Sequence, residues 1–529
     1  MSASFLLHHL VLASASRVPS RIALTYGNQH ISYADLAAAI ERCAGALCAL
    51  PLERCDRVAV YLEKRAELVT TCFGAAAAGC TFVPVNPLLK PSQVAYILAD
   101  CNVRALVTTK ARLSVLAREL PRCRDLRHVI LVDGEPGESL PGVAFHDFAR
   151  WLDGSSRTPH RVIDVDMTAI FYTSGSTGSP KGVVLSHRNM TVGARSVASY
   201  LENVETDALL AALPLSFDAG FSQLTTAFAV GARVALLNHL VPRDVLLALS
   251  RERITGLTAV PPLYIQLAQL QWPEGIDSHL RYFANTGGRM PLETLTQLRR
   301  HLPRSRPYLM YGLTEAFRST YLPPTEVDKR PDSIGKAIPN AEILVLRADG
   351  TECAVDEPGE LVHRGALVGL GYWNDVTRTA ERYRVLPARI PGLVQPEIAV
   401  FSGDTVRRDA EGFLYFIGRE DEMIKSSGYR ISPTEVEDAL YATQQVGEAA
   451  AFGVPHPRLG HAIVVVVTAP VGATVDVASL ERSLRDRLPV YMVPTRIEVR
   501  DAPLPRNPNG KIDRRALAST LESYTPAAT

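Results

Sequence analysis

Strand-like and helix-like segments alternate along most of this 529-residue chain, and that alternation restricts its fold more than any other feature. The apolar run 57–62 reads as a strand, the alanine-rich stretch 66–78 as a helix, and 81–85 as a second strand. A helix over 91–100, opened by Pro91, follows, and residues 105–108 close the unit as a third strand. Strands connected through helices pair in parallel, and parallel sheets are buried under helices on both faces. The expected class is therefore layered α/β. The length exceeds what one core serves and predicts roughly two to four domains. Near Gly418 the character changes. Short strands at 359–362 and 413–417 suggest an antiparallel region, then comes a run dense in charge and glycine, a helix over 433–443 and a strand over 463–467. The expected division is an N-terminal core, 1–417, and a small α+β unit, 418–529.

A formal net charge of +1 leaves no electrostatic reason to expect nucleic acid or an anionic membrane as the main partner. Eight cysteines without a CxxC pair predict free thiols in a reducing cytosol and no zinc site. The apolar segment 5–16 faintly resembles a signal peptide, but no Lys or Arg precedes it and two histidines interrupt it, so an amphipathic helix is expected. The uncharged stretch 462–468 is long enough only for a strand, so no bilayer crossing and a cytoplasmic location are expected. A monomer or homodimer is the expected assembly.

The chemistry is announced at 171–182, FYTSGSTGSPKG, between the apolar runs 169–172 and 183–185. Glycines let backbone N–H groups approach an anion closely. Ser174, Ser176 and Thr177 add hydroxyl donors, and Lys181 adds a mobile charge. The stretch reads as a phosphate cradle. It is not the common P-loop, because it lacks a Gly-Lys-Ser/Thr ending and β-branched residues follow it. Further along, YLMYGLTEA (308–316) places Tyr311 to stack on a purine, Thr314 to donate to a phosphate and Glu315 to hold Mg²⁺. NTGGRM (285–290) offers a glycine turn whose backbone can read an adenine edge. SGDT (402–405) presents Asp404 to two ribose hydroxyls, with Arg419 within reach of the same sugar, and PNGKIDR (508–514) puts Lys511 at the tip of a turn.

Together, from SYADL at 32–36 to NGKIDR, these motifs resemble the adenylate-forming superfamily of acyl-CoA synthetases, peptide-synthetase adenylation domains and luciferases. Within it the chain is similar to an acyl-CoA ligase group associated with exosortase gene clusters. The resemblance implies a large N-terminal domain of two αβ-layered subdomains plus a small β-barrel, followed by a small C-terminal lid that rotates between two half-reactions. It implies ATP and Mg²⁺ as cofactors, with Thr173, Ser174, Gly175, Ser176, Thr177 and Gly178 around the phosphates. Gly287, Gly288, Arg289, Tyr311, Gly312, Asp404 and Arg419 would complete the nucleotide site. Lys181, Thr314, Glu315 and Lys511 would be catalytic, with Lys511 bridging carboxylate and α-phosphate. Lys425 would support the second half-reaction, with a surface role left open. Asp421 would be the hinge, and Gly428 would line the thiol tunnel. His187 receives no chemical role and is expected to be a packing residue.

Comparison of the segment 213–224, LPLSFDAGFSQL, with the acyl pocket of the family adds Phe217, Asp218, Ala219, Ser222, Ala284, Thr286, Met310, Arg318 and Ser319 as lining. Amino-acid-activating members carry an aspartate at the Asp218 position to pair with the substrate α-ammonium. A buried aspartate is costly without a cationic partner, which argues for an amine-bearing substrate. Asp is also a good N-cap, and that alternative stays open. Arg318 would recognise a second substrate carboxylate or pair with an acidic neighbour. The DEMIKSSGYRISPTEVE run is closer to acyl-CoA synthetases. After Lys511 only a short tail remains, so the thiol acceptor, a carrier protein or coenzyme A, is expected in trans. The expected reaction is adenylation of an amino acid or related acid and its transfer to a pantetheine thiol; the alternative is an AMP-forming acyl-CoA synthetase.

Overall fold

The computed structural model describes residues 5–134, 140–173, 180–386, 392, 394–419, 422–426, 429–456, 459–507 and 510–521, the side chains of 425, 429 and 430 excepted. Helix Ala66–Ala78 is buried on nearly every side, Thr70 and Thr71 included, as suits a helix pressed between layers, and ends on Gly79 at φ +81, a left-handed cap that glycine adopts freely. Pro91 opens the helix Pro91–Asp100, where a missing N–H costs no hydrogen bond. The expected helix near the start runs His9–Arg17.

Among the described residues these elements build three sheets. One has a parallel centre of Ile22–Tyr26, Arg233–Leu236, Ala208–Ala211, Gly256–Ala259, Tyr282–Asn285 and Arg306–Tyr311. It continues edge to edge into the antiparallel strands expected to form a barrel, among them Ser333–Ala337, Gly359–Gly365, Ile398–Arg408 and Leu414–Arg419. A second sheet holds Arg57–Tyr61, Thr81–Pro84, Val103–Thr108, Met167–Thr173 and Lys181–Ser186. Helices Tyr33–Ala49, Ala66–Ala78, His187–Tyr200 and Asp218–Val230 fill the space between these two sheets in one shared core. Phe82 and Phe171 of the second sheet meet Phe221 of helix Asp218–Val230 at centroid distances of 4.9 and 5.7 Å. That contact ties the helix carrying several of the expected acid-pocket residues to the strand that leads into the glycine-serine segment.

The third sheet, Ile424–Ser426, Tyr429–Ile431, Ala449–His456, Gly460–Thr468 and Arg496–Arg500, packs on helices Pro433–Tyr441 and Val477–Arg487 around its own apolar core. It meets the larger part through Arg289, whose Nη1 pairs with Asp438 of helix Pro433–Tyr441. The Arg289→Asp, Asp438→Arg exchange should restore most of the expected adenylation rate, which either single reversal should lower about tenfold, an effect of about 1.4 kcal/mol. Pyrophosphate exchange by the three variants checks this; a double variant no better than the singles would deny the pair a role in seating the small unit. Among the described residues no helix is long and apolar enough to cross a membrane.

His187 is fully buried, and its Nδ1 accepts the Leu7 N–H at 3.1 Å while His8 packs edge-on against it. Burial depresses the pKa of His8 to about 3 and of His187 to about 4. In the unfolded chain both protonate below their ordinary value of 6.5, so the unfolded state binds more protons and stability falls with pH. The two together predict a loss of about 3 kcal/mol between pH 6.5 and pH 5. Urea unfolding at the two pH values, compared between the unaltered protein and a His8→Gln, His187→Gln variant, isolates this share from the opposing one of Asp438, whose pKa burial raises to about 7. An equal pH dependence in both would contradict it.

Candidate active site

The site forms where strands of the two larger sheets end and the small unit covers them, the usual position for ligands of open α/β sheets. Strands Met167–Thr173 and Lys181–Ser186 are antiparallel neighbours with Thr173 opposite Lys181, so the glycine-serine loop is a connection between paired strands. Ser174, Gly175, Ser176, Thr177 and Gly178 lie outside the described residues, as do Asp421 and Gly428; of Lys425 only the backbone is described, in strand Ile424–Ser426. At the loop's start, Thr173 Oγ1 is buried and has no hydrogen bond among the described residues, which suits a group that waits for a phosphate oxygen.

Lys181 Nζ lies 3.2 Å from the Tyr372 hydroxyl, and that hydroxyl donates to Glu315 Oε1 at 2.5 Å. The ammonium can therefore donate to the same oxygen that gives its proton to the carboxylate. Burial holds the Lys181 pKa below its ordinary value, and the Glu315 charge opposes that shift. Tyr372, which the sequence motifs did not single out, is thus the bridge between the phosphate-loop lysine and the acidic motif. Strand Gly371–Tyr372 places it by pairing with Val183 and Val184. Its partners lie 191 and 57 positions away, a relationship no local pattern announces.

Asp404 and Arg419 are brought together by register, directly opposite on antiparallel strands, with Arg419 Nε 3.3 Å from Asp404 Oδ1. The Tyr311 hydroxyl also donates to Asp404, so the tyrosine expected to stack on a purine is anchored by its oxygen. Burial raises the Asp404 pKa and the Arg419 charge opposes the rise. Oδ1 of Asp404 has no hydrogen bond among the described residues, leaving it suited to a sugar hydroxyl. Gly287, at φ +75, turns the NTGGRM segment so that the Lys511 Cε lies 3.5 Å from where a Cβ on that glycine would stand. Lys511 hence reaches from its turn onto the large part of the molecule, and Gly288 packs on Pro261 beside it. Desolvation and the Arg419 charge lower the Lys511 pKa, while Asp404 and Asp218 pull it upward. Arg289, expected at the nucleotide, instead spends its guanidinium on Asp438.

Further expectations change around Asp218. Asp218 is the first residue of helix Asp218–Val230 and makes no cap; Oδ1 accepts from Thr314 Oγ1 at 2.7 Å, and Oδ2 from Arg318 Nη1 at 2.9 Å. The cation that a buried aspartate demands is thus supplied by the chain, which removes burial cost as an argument for an ammonium. Thr314 has one hydroxyl proton, and Asp218 takes it, so in this arrangement it does not donate to a phosphate. Of the expected lining, Ala219, Ser222, Met310 and Arg318 surround one cavity. Phe217, Asp218, Ala284, Thr286 and Ser319 do not line it: Asp218 bonds Arg318 of its wall, Ser319 bonds the buried His363, and the Ala284 carbonyl accepts from Tyr264.

Arg318 is aimed by its backbone. Phe317 sits at φ 60, ψ −63, and the Arg318 N–H reaches the Ala316 carbonyl at 2.7 Å, which makes a γ-turn of the rare, strained hand. Gly193 of helix His187–Tyr200 makes room for the Phe317 ring, since a Cβ there would stand 2.3 Å from Phe317 Cδ1. Gly312 does the same for the Arg318 backbone, at 3.0 Å.

Residues 11–373 match the model of AMP-binding enzymes, and residues 435–511 that of the AMP-binding enzyme C-terminal domain. The chain is an adenylate-forming enzyme. The ligase is 32% identical to an L-proline–[L-prolyl-carrier protein] ligase of Pseudomonas fluorescens, over 98% of this chain and 99% of that protein. It is 30% identical to an indoleacetate–CoA ligase of Aromatoleum aromaticum, over 93% and 94% of the two chains. Among solved structures it is similar to the Bacillus subtilis o-succinylbenzoate CoA synthetase in complex with ATP and magnesium, with 27% identity, a TM-score of 0.80 and coverage of 97% and 99%. The anthranilate CoA ligase AuaEII, with anthranoyl-AMP bound, shares the fold at a TM-score of 0.85 and 23% identity over 97% of each chain. The adenylate-forming enzyme described here is thus an AMP-forming acid–thiol ligase.

Proposed function

We propose that the enzyme adenylates a small amine-bearing carboxylic acid and passes the acyl group to the phosphopantetheine thiol of a separate carrier protein. A carboxylate oxygen attacks the α-phosphorus of ATP, the bond from that phosphorus to the bridging oxygen breaks, and pyrophosphate leaves. The thiolate sulfur then attacks the acyl carbon of the mixed anhydride, and AMP leaves. Lys511 neutralises charge where carboxylate and α-phosphate meet; Lys181 and Thr173 face the departing phosphates, and Asp404 takes the sugar. Glu315 keeps one carboxylate oxygen outside its bond to Tyr372, which suits magnesium. When bound, that ion neutralises charge on the pyrophosphate. Asp421, Lys425 and Gly428 belong to the rearrangement and thiol approach of the second half-reaction.

Asp218 carries the amine-bearing reading. Each of its oxygens accepts one hydrogen bond among the described residues, from Thr314 and from Arg318, and a carboxylate oxygen has a second lone pair to offer an ammonium. The Pseudomonas fluorescens relative, an L-proline–[L-prolyl-carrier protein] ligase, supports it. A second reading, a small neutral acid and coenzyme A, is favoured by the same ion pair, because Arg318 already balances the Asp218 charge. ATP–pyrophosphate exchange over amino acids and their deamino counterparts separates the two. The first reading expects the amine-bearing member of each pair to lead by at least tenfold, about 1.4 kcal/mol; parity or the reverse order assigns the site to neutral acids. A cytoplasmic setting, where ATP and carrier proteins are at hand, accompanies both.

A further inference from the structure

Beside the Asp218–Arg318 pair stand two buried polar atoms that the proposed adenylation chemistry does not use. Gln223, on helix Asp218–Val230 and 5% exposed, donates from Nε2 to the Gly220 carbonyl at 3.2 Å. A carbonyl only accepts, so the bonded atom is the nitrogen and the orientation of the amide is settled. Its Oε1 is then an acceptor without a hydrogen bond among the described residues. Arg318, 2% exposed, commits Nη1 to Asp218 and to the Phe317 carbonyl, while its Nε–H has no partner among the described residues. Both side chains line one narrow cavity of about 10 Å³, with Ser222, Thr226, Thr258 and Met310 around them. That is room for roughly one water-sized group.

The chemistry of the missing partner follows from these two atoms. An aliphatic end satisfies neither, and a buried donor and acceptor left unmet both oppose binding. A carboxylate would suit the guanidinium alone, yet Asp218 already balances that charge, and Gln223 Oε1 would face the anion. An ammonium would suit Oε1 and confront Arg318. A carboxamide matches both atoms but is larger than the space. We propose that the pocket selects a small acid whose side chain ends in a hydroxyl, accepting from Arg318 Nε and donating to Gln223 Oε1. The proposal deepens, and rests on, the reading of this pocket as the place where a small acid is adenylated.

Pairs of acids that exchange a hydroxyl for a methyl of similar size test it: L-serine against L-2-aminobutyrate, and 3-hydroxypropionate against butyrate, each in ATP–pyrophosphate exchange. The hydroxyl member of the pair that turns over should lead in kcat/KM by at least tenfold. Gln223→Met keeps the bulk and removes the acceptor, so the lead should shrink toward parity. A glutamine with only a packing role would lower both members alike and leave their ratio intact. A methyl preference in the unaltered enzyme, a preference for L-aspartate over L-serine, or an unchanged ratio in the variant overturns the proposal. Silence on every acid tried overturns the small-acid reading of the site, and the hydroxyl preference falls with it.

Discussion

Replacing Lys511 with alanine is expected to slow adenylate formation by about 10²–10³-fold, the usual cost of removing one pre-positioned donor from a site of developing charge. Thioester formation from a supplied acyl adenylate should largely survive. The asymmetry follows from where the side chain lies. It reaches from the small unit onto the Gly287 turn, in the electrostatic range of Asp404 and Asp218, where the proposed reaction brings carboxylate and α-phosphate together. In the second half-reaction the mixed anhydride already exists and no pair of anions has to meet. Pyrophosphate release and thioester yield, measured separately on the same variant, decide the matter. Equal losses in both would remove Lys511 from the first step.

Asp218→Ala should do more than abolish recognition. It strands the Arg318 guanidinium, 2% exposed, beside a pocket with no other anion bonded to it among the described residues. Removing one partner of a buried pair costs about 3–5 kcal/mol, because the survivor stays buried and uncompensated. A lowered unfolding midpoint in urea should therefore accompany lost activity. Asp218→Ala combined with Arg318→Met takes away the stranded charge and should recover much of the stability without the activity. A single variant as stable as the unaltered enzyme would contradict the account. The consequence for assays is direct: loss of exchange in the single variant does not by itself identify the substrate's amine.

Much of the fold was readable from the chain. Helices 66–78 and 91–100 have the bounds that glycine and proline punctuation suggested, since Gly79 and Pro91 act locally and need no distant partner. The motifs of the candidate site were local in sequence, although Asp404 of SGDT stands within strand Ile398–Arg408 and not on a turn. What escaped was competition between motifs. Thr314 read as a phosphate donor and Asp218 as an ammonium acceptor, yet they satisfy each other across 96 positions. Arg318 arrives at the same carboxylate from 100 positions away. Residue types state what can bond; only packing states which donor gets there first. Tyr372 was missed for the same reason, as its value lies wholly in two partners remote along the chain.

The unusual backbone at Phe317 carries a lesson for anyone who would retune this enzyme. Because the turn aims Arg318, and because Gly193 and Gly312 vacate the volume that the turn occupies, the guanidinium cannot be transplanted alone. An arginine grafted at the matching place in a relative with an ordinary bend would leave along another direction. If the pocket proposed above selects the acid, its selectivity depends on a block of four positions on three segments, Gly193, Gly312, Phe317 and Arg318.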